Sequence, residues 1–219
     1  AATSMAVKRV ADALKIGYYE VPTGWKYFIH LMDSNRITFC GEESFGAGAA
    51  HIREKDGIWA TLFWLSIIAE TGKSVKEIAL DHWRKYGRSY YLRNDFEGIP
   101  QETADKLMSD LKAKLPALSG KSFGNFIVSD AYPFVYNDPV DHTSTQNGLI
   151  VHFTDGSRIV YRLSGTGTNG ATLRTYIERY VTDKLEENPE DMLRELCRVS
   201  REISEITSRT GKEQPDIVT

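Results

Sequence analysis

Hydrophobic positions along the first 86 residues recur at two spacings. Ser4–Leu14 alternates apolar and charged residues at helical spacing and predicts a helix. Lys15–Val21 predicts a short strand. Pro22 opens a second helix carrying Trp25, Phe28, Ile29 and Met32 on its apolar positions, and proline near a helix start is the expected place for it. Ile37–Cys40 predicts a β-rich strand ending at Gly41, followed by the polar, glycine-bearing loop GEESFGAGAAHIREKDG. The next helix, from about Ile58 to Glu70, is nearly all apolar, which predicts burial over most of its surface. Ser74 is placed to cap a further helix running through Tyr86. This alternation predicts an α/β domain, a sheet covered by helices.

From Arg88 the pattern changes. Ser89–Asn94 is aromatic and strand-like, and Gln101–Lys114 is an amphipathic helix stopped by Pro116. Between Phe123 and Arg174 several short strands are expected, with turns at Asn137–Pro139, Gln146–Gly148 and Thr154–Gly156; the Asp155–Gly156 pair is a hairpin signal. Pro189–Ser208 reads as a charged amphipathic closing helix. The second half is therefore α+β with an antiparallel sheet. The expected division is residues 1–86, a partial α/β domain lacking its first strand, and residues 87–219, an α+β domain.

Composition narrows the function classes. The 219 residues are 41% hydrophobic and 26% charged, an ordinary globular balance, and a formal net charge of −3 gives no bulk attraction to nucleic acid or anionic membrane. No apolar run approaches the length of a membrane span. The N-terminal stretch AATSMAVKRVADALK is amphipathic and lacks the apolar core of a signal peptide. Two cysteines, Cys40 and Cys197, are too few for a disulfide framework and suit a reducing, cytoplasmic setting. Neither has a metal-ligand neighbour at useful spacing.

The chemistry concentrates in RLSGTGTNGATLR, Arg162–Arg174. Its glycines allow a tight loop with backbone N–H groups close to a ligand, its hydroxyls add donors, and two guanidinium forks match phosphate oxygens. A phosphate pocket and a plain glycine-rich turn are both compatible with these residue types. Gly165, Gly167 and Gly170 also fit G-x-G-x-x-G, but a dinucleotide site needs a helix after the loop. Thr172–Val181 instead alternates, with Leu173, Thr175, Ile177 and Val181 on one parity and Thr172, Arg174, Tyr176, Glu178 and Tyr180 on the other. That is a strand, so the loop joins a hairpin and the nucleotide fold is rejected.

In the first half, Glu42 and Ser44 lie at a strand end between Gly41 and Gly46. A carboxylate and a hydroxyl two residues apart can grip a pair of sugar hydroxyls; a solvated acidic loop is the other reading. His51–Asp56 is a charged run in which Lys55 could face phosphate or act as an acid, and which equally fits a surface turn.

Four motifs in order, PTGWK (Pro22–Lys26), GEESFG (Gly41–Gly46), HIREKDG (His51–Gly57) and RLSGTGTNGATLR, together resemble the α-phosphoglucomutases of the α-D-phosphohexomutase superfamily. The resemblance covers nearly the whole chain and implies most of the third and all of the fourth of the family's four domains. It implies that Glu42 and Ser44 hold sugar hydroxyls, that Thr23 and Gly24 help orient the ring, and that Arg162, Ser164, Thr166 and Arg174 bind the non-reacting phosphate. Lys55 resembles the family lysine that assists proton or phosphoryl transfer. The implied reaction interconverts glucose 1-phosphate and glucose 6-phosphate through an enzyme phosphoserine and a glucose 1,6-bisphosphate intermediate, with Mg2+ bound by the N-terminal half. No Asp-x-Asp-x-Asp triplet and no Thr-Ala-Ser-His-Asn-Pro-like stretch occurs here, so no metal ligands are assigned within the chain. The expectation is a C-terminal portion that is inactive alone and whose partners are hexose phosphates and the absent N-terminal domains. The rival is a non-catalytic phosphoglucomutase-like protein acting as a structural or membrane-traffic partner; intact sugar and phosphate loops favour the enzyme.

Overall fold

The structure, a computed structural model, describes residues 1–43, 46–167 and 170–219, with the side chains of Thr166 and Gly167 outside the description. Two compact units emerge, Ala1–Arg88 with Val135–Gln146, and Ser89–Phe134 with Asn147–Thr219.

The first unit holds helices α1 (Ala6–Leu14), α2 (Trp25–Asp33), α3 (Gly57–Thr71) and α4 (Val75–Tyr86) and strands β1 (Phe39–Gly41) and β2 (Ala47–Ala49). The two strands form an antiparallel ladder with Cys40 opposite Gly48. Lys15–Val21 is not a strand. Lys15 adopts a left-handed conformation at φ 57°, and the N–H groups of Lys15 and Ile16 turn back to the carbonyls of Asp12 and Ala11, so these residues finish α1. Asp56 caps α3 by accepting from the N–H groups of Ile58 and Trp59 at 2.8 and 2.9 Å. Ser74 and Glu77 close a capping box on α4.

The expected burial of α3 is not found. None of its residues is buried, and Ile58 and Leu62 are 75% and 58% exposed. The described strands of this unit are three residues each, too small a surface to cover a 15-residue helix. What α3 does engage is an aromatic row, Trp59 stacked on Phe63 at 5.3 Å with Phe39 alongside at 5.9 Å from Trp59. Burial in this unit concentrates on α2, where Tyr27, Phe28, Leu31 and Met32 turn inward. Tyr136, from the segment Val135–Gln146, meets Tyr27 edge-on at 5.4 Å.

The second unit is built on a seven-stranded sheet in the order β4-β5-β6-β7-β8-β3-β9. Its elements are β3 (Arg88–Ile99), α5 (Gln101–Lys114), β4 (Ser122–Phe123), β5 (Phe126–Asn137), β6 (Ser144–Phe153), β7 (Arg158–Gly167), β8 (Gly170–Val181), α6 (Pro189–Ser204), α7 (Ile206–Thr210) and β9 (Ile217–Val218), of which Arg88, the last residues of β5 and the first of β6 count with the first unit. The strands between Phe126 and Val181 are long, 10 to 12 residues, where short ones were expected. Gln146–Gly148 lies inside β6 and is no turn. Gly148 sits at φ 95°, and a Cβ there would stand 3.0 Å from the carbonyl oxygen of Tyr161, so this glycine serves close approach between strands. The closing helix breaks at Glu205, at φ 55°, into α6 and α7.

Leu173 and Ile177 of β8, with Ile159 and Tyr161 of β7, face Leu107 and Leu111 of α5 and Leu193, Leu196 and Val199 of α6 in one continuous core. Tyr161 donates from its phenol to the carbonyl of Ser200 at 2.9 Å, and burial pushes that phenol up from its ordinary pKa.

Candidate functional site

Two loops carry the candidate residues, one in each unit. In the first unit, Gly24 is the N-cap of α2 at φ 137°, a conformation that favours glycine, with Thr23 immediately before it. Glu42 follows β1, and its N–H bonds the carbonyl of Gly46 at 2.8 Å, which closes the hairpin mouth. Ser44 lies outside the described residues. Lys55 reaches across the hairpin and pairs its ammonium with the Glu42 carboxylate. Gly46 makes that reach possible, because a Cβ there would fall 1.9 Å from Cε of Lys55. Gly48 has a parallel role: a Cβ would fall 2.5 Å from the Glu54 carbonyl oxygen and 2.8 Å from the Trp25 ring. Trp25 in turn donates from Nε1 to the carbonyl of Arg53 at 3.2 Å. The glycines of this loop therefore exist to let Lys55 and Trp25 lie across the backbone. The structure joins Glu42 to Lys55, a pairing that spacing alone did not reveal. Burial raises the Cys40 thiol to about 11, so this neighbour of the loop stays protonated at neutral pH.

In the second unit β7 and β8 are antiparallel, with Arg162 directly opposite Arg174 and Ser164 opposite Thr172. The register then slips between Ser164 and Gly167, where Gly165 takes φ 80°, and resumes at Gly167 opposite Gly170. A Cβ on Gly170 would stand 2.7 Å from the Ile99 carbonyl oxygen, so only glycine lets β8 begin against the end of β3. Like charges facing each other across a ladder are unfavourable. Each arginine here has its own compensation. Arg162 donates from a terminal nitrogen to the Tyr176 hydroxyl at 2.8 Å, with its guanidinium 5.8 Å from the Tyr176 ring centre. Arg174 lies with Nε 3.3 Å from Oδ2 of the buried Asp95 on β3. Neither Nε has a hydrogen-bond partner among the described residues. The result is two guanidiniums on one ladder face with donor capacity unspent. Thr166 falls in the register slip, and its side chain lies outside the description.

Tyr176 and Asp95 were not singled out from the sequence. Tyr176 shares the parity of Arg174 along β8, which was a usable signal. Asp95 belongs to a strand distant in sequence, and only the order of strands in the sheet brings it to Arg174.

One group among the described residues has the ligand types and spacing to hold a metal ion: His30, Asp138 and Asp141 in the first unit. It does not suit magnesium, which prefers an octahedron of oxygens. Asp138 already accepts from the N–H of Val140 at 2.8 Å and the N–H of Asp141 at 3.4 Å, and its other oxygen lies 2.8 Å from Nδ1 of His30.

Comparison with known proteins adds to this geometry. Residues 88–216 match the family described as "Phosphoglucomutase-1, C-terminal domain", and residues 1–86 match "Phosphoglucomutase/phosphomannomutase, alpha/beta/alpha domain III". The chain is 49% identical over 220 residues to the phosphoglucomutase of Rhizobium radiobacter, which covers 99% of the chain and 41% of that relative. It is 49% identical over 226 residues to human phosphoglucomutase-1, covering 99% of the chain and 40% of the relative. The crystal structure of the exocytosis-sensitive phosphoprotein pp63/parafusin (phosphoglucomutase) from Paramecium, in an open form, superposes with a TM-score of 0.91 at 42% identity over 99% of the chain and 38% of that structure. The chain thus spans about 40% of the length of the curated relatives it matches. With one family description matching the α/β unit and another, over more than half of the residues, matching the part that carries the paired arginines, this chain belongs to the phosphoglucomutase family.

Proposed function

We propose that the chain supplies the sugar-binding and phosphate-binding loops of a phosphoglucomutase, an enzyme interconverting glucose 1-phosphate and glucose 6-phosphate by way of glucose 1,6-bisphosphate. The observation that carries the reading is the pair Arg162 and Arg174, directly opposed on one face of the ladder that leads into a glycine-rich hairpin bend. In this reading Arg162, Ser164, Thr166 and Arg174 grip the phosphate that does not react, since a guanidinium fork matches phosphate geometry and hydroxyls add donors. Glu42 and Ser44 accept and donate to the sugar hydroxyls, and Thr23 and Gly24 line the ring.

Lys55 holds the Glu42 carboxylate. A carboxylate has acceptor capacity for an ammonium and for sugar hydroxyls together, so substrate joins the pair without displacing the lysine. Lys55 is then positioned to carry a proton at the reacting end. The phosphoserine and Mg2+ belong, on this reading, to the share of the relatives' length that the chain does not span. Magnesium would neutralise charge on the transferring phosphoryl group. Two free thiols, Cys40 and Cys197, agree with a cytoplasmic enzyme. Among the described residues no helix is long and apolar enough to cross a membrane.

The test is Arg174→Ala in the whole enzyme. A charge-assisted bond is worth about 1.5–3 kcal/mol, so kcat/KM should fall by roughly one to two orders of magnitude. Retention of kcat/KM within about twofold contradicts the phosphate assignment. A whole protein that binds hexose phosphate without any turnover supports instead a non-catalytic, phosphoglucomutase-like role.

A further inference from the structure

We infer that Asp95 is a positioning residue for the phosphate loop: its buried carboxylate, anchored by Arg93, holds the guanidinium of Arg174 in the orientation that receives the phosphate. The inference rests on the phosphate-binding reading of Arg162–Arg174 and adds a residue from a different strand.

Asp95 lies on β3, the neighbour of β8 in the sheet, and is 1% exposed. A carboxylate this deeply buried must be compensated by charge and hydrogen bonds. Arg93, two residues earlier on the same face of β3, donates from Nε to Oδ1 at 2.9 Å. That bond fixes the carboxylate and leaves Oδ2 facing Arg174, whose Nε stands 3.3 Å away. The Arg174 contact is ionic and not yet an aligned hydrogen bond, since no hydrogen-bond partner is found for that Nε. Arg93 and Arg174 therefore differ in kind. Arg93 is bonded to the carboxylate and has a side chain only 16% exposed, whereas Arg174 is 30% exposed and no bond to its terminal nitrogens occurs among the described residues.

The strand that carries Asp95 is itself held from the far side. β9 pairs antiparallel with β3, with Asp95 opposite Ile217, and Asp216 donates its N–H to the carbonyl of Asp95 at 2.9 Å. Asp216 also accepts from the N–H of Glu97 at 2.7 Å. The backbone of Asp95 is thus fixed on the β9 side while its side chain serves the β8 side.

Charge bookkeeping points the same way. Arg93 and Arg174 both face the Asp95 carboxylate, so these three side chains carry a formal excess of one positive charge. A phosphate monoester carries about −1.5 to −2 at neutral pH, so the group is complementary to it.

Two roles for Asp95 predict opposite signs. A carboxylate that merely neutralised Arg174 would weaken phosphate binding, and its removal would tighten it. A carboxylate that aims Arg174 strengthens binding, and its removal would loosen it. The experiment titrates the 219-residue chain with inorganic phosphate and reads backbone and arginine Nε–Hε NMR signals. Asp95→Asn should raise the phosphate Kd about fivefold, less than the loss of a direct charge-assisted contact because Asp95 acts through Arg174, with the backbone spectrum of the α5 and α6 core unchanged. An unchanged or lower Kd in folded Asp95→Asn overturns the inference. Where Asp95→Asn does not fold, the unaltered chain decides. With phosphate bound, the Arg174 Nε–Hε should exchange with water far more slowly than that of Arg194, whose side chain is 75% exposed. Equal exchange rates overturn the inference. Arg174→Ala separates this from the underlying reading: if it weakens phosphate binding while Asp95→Asn does not, only the role of Asp95 falls. If Arg174→Ala also leaves phosphate binding intact, both fall together.

Discussion

The two loops proposed to bind phosphate and sugar stand on very different foundations. The arginines of β7 and β8 belong to a ladder whose other face is among the most deeply buried parts of the molecule; Ile159, Leu173 and Ile177 have no exposed surface. The Glu42–Lys55 pair belongs to a hairpin of two three-residue strands beside a helix with no buried residue. A phosphate site must present fixed donors to a compact, highly charged group, and a rigid ladder provides them without reorganisation. The proposed sugar site, which meets uncharged hydroxyls, has less use for rigidity. Its loop is held by an ion pair and by glycines over which side chains lie, both of which can shift at modest cost.

The largest test of that difference is a pair of core and surface truncations. Leu173→Ala, at a position with 0% exposure, should destabilise the second unit by about 3–4 kcal/mol through the cavity it leaves. Leu62→Ala, at 58% exposure, should change stability by less than about 0.5 kcal/mol. Residue-resolved hydrogen exchange reads both, and comparable losses would mean that α3 is covered in solution.

Next comes the turn that follows β5. Asp138→Ala removes the acceptor for two N–H groups and for His30, and should cost the first unit about 2 kcal/mol. Burial, the strongest single influence on Asp138, favours its protonated form, but the N–H of Val140, His30 and the N–H of Asp141 together outweigh it and hold the carboxyl below 3.8. A carboxylate with a depressed folded value stabilises above its unfolded value and loses that contribution as pH falls through the folded one. Unfolding of the first unit should therefore show a pH-dependent loss beginning below about pH 4 that Asp138→Ala lacks. The same acid sensitivity in the variant would contradict the assignment.

A smaller effect is expected at the start of α3. Asp56→Ala deletes the cap that Ile58 and Trp59 bond and should cost about 1 kcal/mol, read as faster amide exchange in the first turn of the helix. Smallest is the chemistry of Cys40. Its thiol, raised by burial to about 11, should react with alkylating reagents more slowly at neutral pH than an unstructured cysteine.

Much of the second unit could be read from local pattern. The two parities of Thr172–Val181 marked the strand, and the helix Gln101–Lys114 was delimited by its apolar spacing and Pro116. Ser74 was recognisable as a cap because its partner Glu77 lies only three residues on. What escaped was non-local or depended on cover. Asp95 meets Arg174 only because β3 joins the sheet beyond β8. Lys55 meets Glu42 only because Gly46 lets it cross the hairpin. The apolar sequence of α3 predicts burial, but hydropathy cannot say what covers a helix. The left-handed Lys15 turned an expected strand into a helix terminus, since that conformation is uncommon for lysine and carries no pattern.

The central claim is the proposal that the Arg162–Arg174 hairpin binds phosphate and the Glu42–Lys55 hairpin binds sugar hydroxyls. The most direct measurement is an NMR titration of the chain with inorganic phosphate, glucose and glucose 6-phosphate in parallel. Inorganic phosphate should move signals only in Arg162–Arg174 and its neighbour Asp95. Glucose 6-phosphate should move those through its phosphate and also Gly41–Gly46 and Lys55 through its hydroxyls, with binding no tighter than about millimolar. Shifts from glucose 6-phosphate that spare Arg162–Arg174, or that fall on neither loop, would contradict the account.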